Sequence, residues 1–221
     1  MYALVESGSI TKYFNNPKGF ILGDVQYSAD IFMKWSVAEK EAVGIYEVIF
    51  DDSNKKDGKW YNNVNQSFAF ADGTVTASYG TATAKAHADV NEVWTQVEID
   101  EEGNSPDGAS ANDPKNDQDG NQIVTRGLKY NLIKNLKVNV ANELARTDWY
   151  VTRKTEKSTA IPSAITTHRD LVRSRQATME TAITNAADTA ALETLHTYVN
   201  TGTKANPVYE KPLGELPVLE S

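Results

Sequence analysis

The stretch that decides the fold is residues 128–144, which read LKYNLIKNLKVNVANEL. Apolar residues recur in it every four positions, at Leu128, Leu132, Leu136, Val140 and Leu144. Polar residues fill the opposite face, and Ile133 and Ala141 widen the apolar stripe. Because one turn of an α-helix takes about 3.6 residues, this spacing predicts an amphipathic helix with one buried face.

Two further helices are predicted downstream. Proline suits the first turn of a helix, so Pro162 predicts the start of the second. Its apolar positions are Ile165, His168, Leu171, Val172, Met179 and Ile183. Its arginines, Arg169, Arg173 and Arg175, are expected on the solvated face. Asp188 can cap a shorter third helix, which carries Leu192, Leu195 and Val199. Residues 128–200 therefore predict a helical hairpin plus a short third helix, with stripes that pack together or against a partner.

The N-terminal residues 1–97 predict a small β-rich domain with short helices. Residues 2–5 and 10–13 flank a Glu-Ser-Gly-Ser turn, and residues 45–50 are rich in β-branched and aromatic side chains. Asp72-Gly73 is a hairpin signal, and Ser36 and Glu39 have capping-box spacing. The expected fold class is α+β, a small β-rich N-terminal domain followed by a C-terminal α-helical hairpin.

Two segments lack this periodicity. Residues 98–127 are rich in Asp, Asn and Gly and predict an acidic loop or linker, because few apolar groups are present to offset the entropy of ordering. An EF-hand alignment with Gly120 at its sixth position puts Lys115 first and Arg126 twelfth, where a calcium loop needs oxygen ligands. Whether the loop binds a cation or orders on assembly stays open. Residues 201–221, with three prolines from Pro207, predict an extended, partner-dependent tail.

The composition limits the classes of function. A net charge of −8 argues against nucleic-acid binding, which needs a basic surface. The absence of cysteine excludes disulfides, thiol nucleophiles and cysteine-based zinc sites. The N-terminus has no basic segment followed by an apolar run, and no stretch approaches the roughly 20 apolar residues of a membrane span. We therefore expect a soluble protein made in the cytoplasm, without membrane insertion.

No pattern typical of catalysis is present. His87, His168 and His196 include no pair at the i, i+4 metal spacing, and the nucleophile, dinucleotide and phosphate-loop motifs are missing. The neighbouring Glu101 and Glu102 lie in the acidic stretch, where solvation suits them poorly to acid–base work. The sequence predicts a non-enzymatic protein with no cofactor or metal ligand, and His168 is expected to be a hydrogen-bonded or interface histidine.

The aromatic residues of the N-terminal half have two interpretations. They are expected mainly as core, because aromatic side chains dominate small cores. The alternative is a stacking platform for sugars, for which Trp60 and Tyr61 are the candidates. In the C-terminal half, Trp149 is expected to fill the helical core, so that its replacement by alanine would cost roughly 3–5 kcal/mol.

Two patches of the sequence resemble proteins of tailed bacteriophages. Residues 1–13, MYALVESGSITKY, are similar to the opening strand pair of small tail-associated proteins, in which a short helix and a strand like residues 44–48 follow. The runs LARTDWY at 144–150, AIP at 160–162 and HRDLVR at 168–173 resemble the C-terminal helical hairpin of tail assembly chaperones and tail-fibre assembly proteins. His168 and Val172 stand where that family has an aromatic residue and leucine.

The resemblance implies a virion structural protein of the tail, baseplate or fibre-attachment region, assembled in the host cytoplasm. Its partners would be other phage tail or fibre proteins, within a homo-oligomer or a larger assembly. A non-virion chaperone of tail or tail-fibre assembly and a carbohydrate-binding receptor module remain as alternatives. The implied interaction residues are Trp149, Tyr150, His168, Leu171 and Val172.

Overall fold

The computed structural model describes residues 1–101 and 108–219. The chain divides into two compact units, the N-terminal unit Met1–Ala84 and the C-terminal unit Lys85–Ser221. The fold is mixed α+β, with a β-rich first half followed by helices, which confirms the fold class at this level. Among the residues described, no helix combines the length and apolar composition needed to cross a bilayer.

The N-terminal unit is a curled sheet with short added elements. Its elements are β1 (Tyr2–Glu6), β2 (Ser9–Phe14), β3 (Phe20–Leu22), β4 (Val25–Tyr27), α1 (Ile31–Lys34), α2 (Val37–Ala42), β5 (Ile45–Asp51), β6 (Tyr61–Asn62), β7 (Ser67–Ala71), β8 (Thr74–Ser78) and β9 (Thr83–Ala84). The main sheet has the order β2-β1-β5-β8-β7, in which only β5 and β8 are parallel. The rings of Tyr13 and Phe68 lie 4.7 Å apart and join its two edge strands.

Local turn chemistry forms the hairpins of this unit. The two-residue turn between β1 and β2 consists of Ser7 and Gly8, both with positive φ, at 50° and 79°. The β7–β8 turn uses Asp72 and Gly73 in the same way. Turns with two positive φ angles match the twist of paired strands, so they favour a tight hairpin. Both predicted turns are confirmed, as is the capping box at the start of α2.

The core of the N-terminal unit lies on both faces of the sheet. Successive side chains of a strand point to opposite faces, so in β1 Ala3 and Val5 join one cluster and Leu4 the other. Trp60 and Tyr61 are buried, with 3% and 7% of their surface exposed. The prediction that the aromatic residues form core is confirmed for this pair. The alternative interpretation of Trp60 and Tyr61 as an exposed stacking platform for sugars is wrong.

The C-terminal unit is mainly helical. Its elements are β10 (Val90–Asn91), α3 (Gln96–Asp100), β11 (Val124–Thr125), α4 (Leu128–Ala145), α5 (Asp148–Lys157), α6 (Ser163–Asn185), α7 (Thr189–His196), β12 (Val199–Asn200) and β13 (Tyr209–Glu210). α4 packs against α6. Lys129 near the start of α4 donates to the carbonyl of Thr184 near the end of α6, and Glu143 near the end of α4 contacts His168 near the start of α6. The two helices therefore run antiparallel.

The predicted helices start at the expected residues and differ in detail. α4 begins at Leu128, α6 follows Pro162, and the Asp188 carboxylate accepts from the Ala191 amide at 2.8 Å to cap α7. α7 ends at His196, so Val199 belongs to β12 and not to the helix. α5 is an additional helix, because the chain turns at Thr147 and Asp148 opens a new first turn.

Residues 85–97 belong to the C-terminal unit, and not to the β-rich domain that the sequence predicts for residues 1–97. The reason is that they hold the start of α4. Asp89 accepts from the Gly127 amide at 2.9 Å and from the Arg126 guanidinium, and Ala86 accepts from the Leu128 amide at 3.0 Å. These contacts satisfy helix N-terminal groups that no side chain of α4 itself caps.

The described part of the acidic stretch is structured. α3 begins with a capping box between Thr95 and Glu98, and Lys115 forms an ion pair with Glu98. Ile123 donates to the Lys115 carbonyl at 2.7 Å. These contacts argue against the linker interpretation, whereas residues 108–123 form a loop, as the composition also predicted. Residues 102–107 lie outside the described residues.

The C-terminal tail packs on its own chain. β13 pairs with β12, and Leu213 is buried with its amide donating to the Leu195 carbonyl at 2.9 Å. Arg175 on α6 donates to the carbonyls of Leu213 and Glu215. The tail therefore binds helices of the same chain, where its proline content had predicted dependence on a partner.

Candidate protein-interaction surface

The five implied interaction residues do not form one face. His168 and Val172 are buried, while Trp149 and Leu171 are 51% and 54% exposed and Tyr150 is partly buried. Leu171 was predicted to lie on the buried stripe of its helix, and it lies outside it. Trp149 and Leu171 are therefore available to contact a partner, whereas His168 and Val172 pack inside the C-terminal unit.

His168 is part of a buried polar contact between α4 and α6. Its Nε2 lies 3.0 Å from Oε1 of Glu143, which agrees with the expectation of a hydrogen-bonded histidine. Glu143 also accepts from Arg146 and from the Leu219 amide. Burial by itself raises the pKa of Glu143, but the hydrogen bonds from Arg146, Leu219 and His168 outweigh it and hold the pKa below its usual value of 4.5.

Arg169 fixes the corner between α4 and α5. Its Nη1 donates to the Leu144 carbonyl at 2.9 Å, to Thr147 Oγ1 at 2.6 Å and to Asp148 Oδ1 at 2.8 Å. The prediction that Arg169 is solvated is wrong, because this side chain satisfies groups at the end of one helix and the start of the next. The sequence contains no signal for the Arg169 contacts, because a backbone carbonyl accepts a hydrogen bond from any donor that reaches it.

The residues Trp149, Tyr150 and Arg153, here called the α5 cluster, form an aromatic group on α5 in which Trp149 is half exposed. The two ring centroids are 3.8 Å apart, and Cζ of Arg153 lies 4.7 Å from the Trp149 ring. The prediction that Trp149 fills the core is wrong, because half of its surface is exposed, while Thr147 is buried at the corner between α4 and α5 and accepts from Arg169. Trp, Tyr and Arg are the residue types most enriched at the energetic centre of protein interfaces.

A second exposed surface lies on α4. It is a groove of about 520 Å³, here called the α4 groove, lined by Tyr130, Ile133, Lys134, Lys137, Val138 and Ala141. These positions follow i, i+3, i+4 spacing, so they share one face of the helix. Ile133 and Ala141 were predicted to widen the buried stripe, and they line this outer groove instead. The groove combines apolar side chains with two lysines.

A third surface is a cleft of about 680 Å³ beside β12 and β13. Its charged groups already bond to each other: Lys211 Nζ lies 2.7 Å from Oε1 of Glu215, and the Tyr198 hydroxyl donates to the same carboxylate at 3.0 Å. The Lys211 and Tyr198 contacts hold the pKa of Glu215 below its usual range. These contacts hold the tail in place.

Metal-binding groups are not clustered among the residues that the structure describes, where no set of three or more His, Asp or Glu side chains converges. In the loop that resembles an EF-hand, the Asp117 carboxylate accepts from the amides of Asp119 and Asn121, each at 2.9 Å. Hydrogen bonds from the Asn121 amide lower the pKa of Asp117, with burial opposing them. The Asp117 carboxylate therefore stabilises the turn in which it lies.

Comparisons of the chain with protein families, with curated proteins and with solved structures find no match.

Proposed function

We propose that this chain is a non-enzymatic structural protein of a tailed-phage virion, in the tail, baseplate or fibre-attachment region, and that it acts through protein–protein contacts. The observation that carries the proposal is the α5 cluster, in which Trp149 is half exposed beside Tyr150 and Arg153. The same tryptophan belongs to the run LARTDWY, which resembles the helix end of phage tail and fibre assembly proteins.

Within this proposal, α4 and α6 act as a helical hairpin with α5 in the connection between them. Support comes from their antiparallel contacts at both ends, Lys129 to Thr184 and Glu143 to His168. Buried Val172 and the His168–Glu143 contact hold the hairpin together, which leaves Trp149 and Leu171 to face a neighbour. The neighbours would be other phage tail or fibre proteins and further copies of the chain.

Mass spectrometry of purified phage particles tests the virion location. Stoichiometric presence of the protein is expected. Absence from particles, with the protein confined to extracts of infected cells, would overturn the virion role and favour the alternative of a non-virion assembly chaperone.

A variant series tests whether the α5 cluster is the contact surface. Trp149→Ala is expected to reduce incorporation into particles strongly, because truncating a central interface residue costs about 2 kcal/mol or more of binding. Tyr209→Ala is the matched control, since this ring is also exposed but lies on β13. Equal incorporation of the Trp149 variant and wild type would remove the α5 cluster from the interface.

A further inference from the structure

We propose that α3 of one copy docks into the α4 groove of a second copy, so that copies join head to tail. The proposal rests on the protein–protein role proposed above and names one partner for it. The contact would place Val97 and Asp100 of one copy against Val138 and Lys134 of the next.

The α4 groove offers apolar surface between positive charges. Val138 is 52% exposed and Tyr130 is 41% exposed, so water contacts both. Lys137 lies 3.8 Å from Glu180 while more than half of its side chain remains exposed, which makes that ion pair weak. A partner that fits this face presents an aliphatic side chain together with a carboxylate.

α3 presents that combination. Val97 is 68% exposed, and Asp100, which is also exposed, follows it at i+3, so the two share one face of the short helix. The Thr95–Glu98 capping box fixes the start of α3, and the Lys115 ion pair ties Glu98 to the rest of the segment. Because these contacts hold the helix before binding, little entropy is lost when it docks.

The charge distribution favours a second copy in this orientation. Residues 85–122 contain ten acidic and two basic side chains, whereas residues 128–185 contain ten basic and five acidic ones. An α4 groove facing another α4 groove would oppose lysine to lysine, and α3 facing α3 would oppose carboxylates. Only the unlike pairing is attractive. When the α3 and the groove of one copy bind two different neighbours, this contact generates rings or filaments.

Sedimentation velocity of the purified full chain tests the proposal. Association is expected to increase with protein concentration and to weaken as salt is added, because exposed charges are screened. Lys134→Glu and Asp100→Lys are each expected to weaken self-association about tenfold or more, since each places like charges in contact. Both positions are exposed, so the melting temperature of either variant should match that of wild type.

An equimolar mixture of the two variants is the decisive measurement. Each variant alone opposes like charges, but in the mixture every junction between the two different variants pairs opposite charges, so alternating association is expected to return to near the wild-type level. Lys204→Glu is the control, because it makes the same charge change on the loop between β12 and β13. A monomeric wild type, variants that associate normally, or a mixture that stays dissociated would each overturn the docking. A protein that is monomeric yet stoichiometric in particles would overturn the docking and leave the proposed virion role standing.

Discussion

Arg175 crosses directly over the backbone of Gly214 and donates to the carbonyls on both sides of it, Leu213 at 3.0 Å and Glu215 at 3.2 Å. Gly214 has φ +75°, and the guanidinium occupies the space where a Cβ would lie. Glycine is therefore required at this position for two reasons, its backbone conformation and the close approach of the arginine.

Gly214→Ala is expected to destabilise the C-terminal unit by about 2–4 kcal/mol, because backbone strain and the displacement of Arg175 add. Gly120→Ala is the matched control: its φ is +83° and no atom lies within 4 Å of the added Cβ, so it tests strain alone at about 1 kcal/mol. Urea unfolding followed by circular dichroism measures both. Equal losses would show that the arginine contact contributes nothing.

The different burial of Trp60 and Trp149 predicts that replacement by alanine lowers stability unequally at the two positions. Trp60→Ala is expected to cost about 3–5 kcal/mol in the N-terminal unit, because only 3% of the side chain is exposed. Trp149→Ala is expected to cost about 1 kcal/mol in the C-terminal unit, since half of its surface already contacts water. Denaturant titration of each variant checks this. A loss of several kcal/mol for Trp149→Ala would place that ring in the core.

The lowered pKa of Glu143 predicts that the free energy of unfolding changes with pH in the acid range. Its folded pKa lies below the usual 4.5, so the stabilisation it provides is complete above that value and is lost as the pH falls through the lowered folded pKa. Glu143→Gln is expected to cost about 1–3 kcal/mol at neutral pH, because buried hydrogen bonds are lost. The free energy of unfolding, measured by urea titration at several pH values, should show the gap between wild type and variant closing in acid. Glu156→Gln on the exposed side of α5 serves as control, and a gap that stays constant with pH would contradict the assignment.

The contact between Lys115 and Glu98 predicts how substitutions of the lysine change the pKa of Glu98. The hydrogen bond from the lysine, helped by the Thr95 amide and hydroxyl, lowers the pKa of Glu98 from 4.5 to about 2. Lys115→Ala should raise this pKa towards 4.5, whereas Lys115→Arg should keep it low because the cation is retained. Carboxyl chemical shifts followed by NMR during an acid titration measure it directly. An unchanged pKa in the alanine variant would show that Lys115 does not bind Glu98.

Much of the fold was predictable because its signals are local. The four-residue spacing from Leu128 to Leu144 predicted α4, Pro162 predicted the start of α6, and Asp188 predicted the cap of α7. The Asp-Gly turn between β7 and β8 was equally clear. Each signal acts within one helical turn or one hairpin, so neighbouring residues are sufficient to specify it.

The interaction surfaces were less predictable, because α4 has apolar residues on two faces. The sequence shows that Ile133 and Ala141 adjoin the stripe of Leu136 and Val140, but only the packing of α6 against α4 decides which side chains are covered. Trp149 was predicted wrongly for the same reason, since only the packing of α5 decides that half of its surface stays exposed.

By itself, the sequence determined where most helices and hairpins begin, that the first half is β-rich and the second helical, and where the acidic and basic residues lie along the chain. Only the tertiary structure decided that Arg169 and Arg175 bind backbone carbonyls far along the chain, that the tail packs on its own helices, and that Trp149 faces outward. The physical reason is that periodicity and turn chemistry act between neighbouring residues. Burial and hydrogen bonding between distant segments depend instead on which surfaces meet. Every residue has the same backbone carbonyl acceptor, so the sequence does not mark which carbonyl a distant arginine will bind.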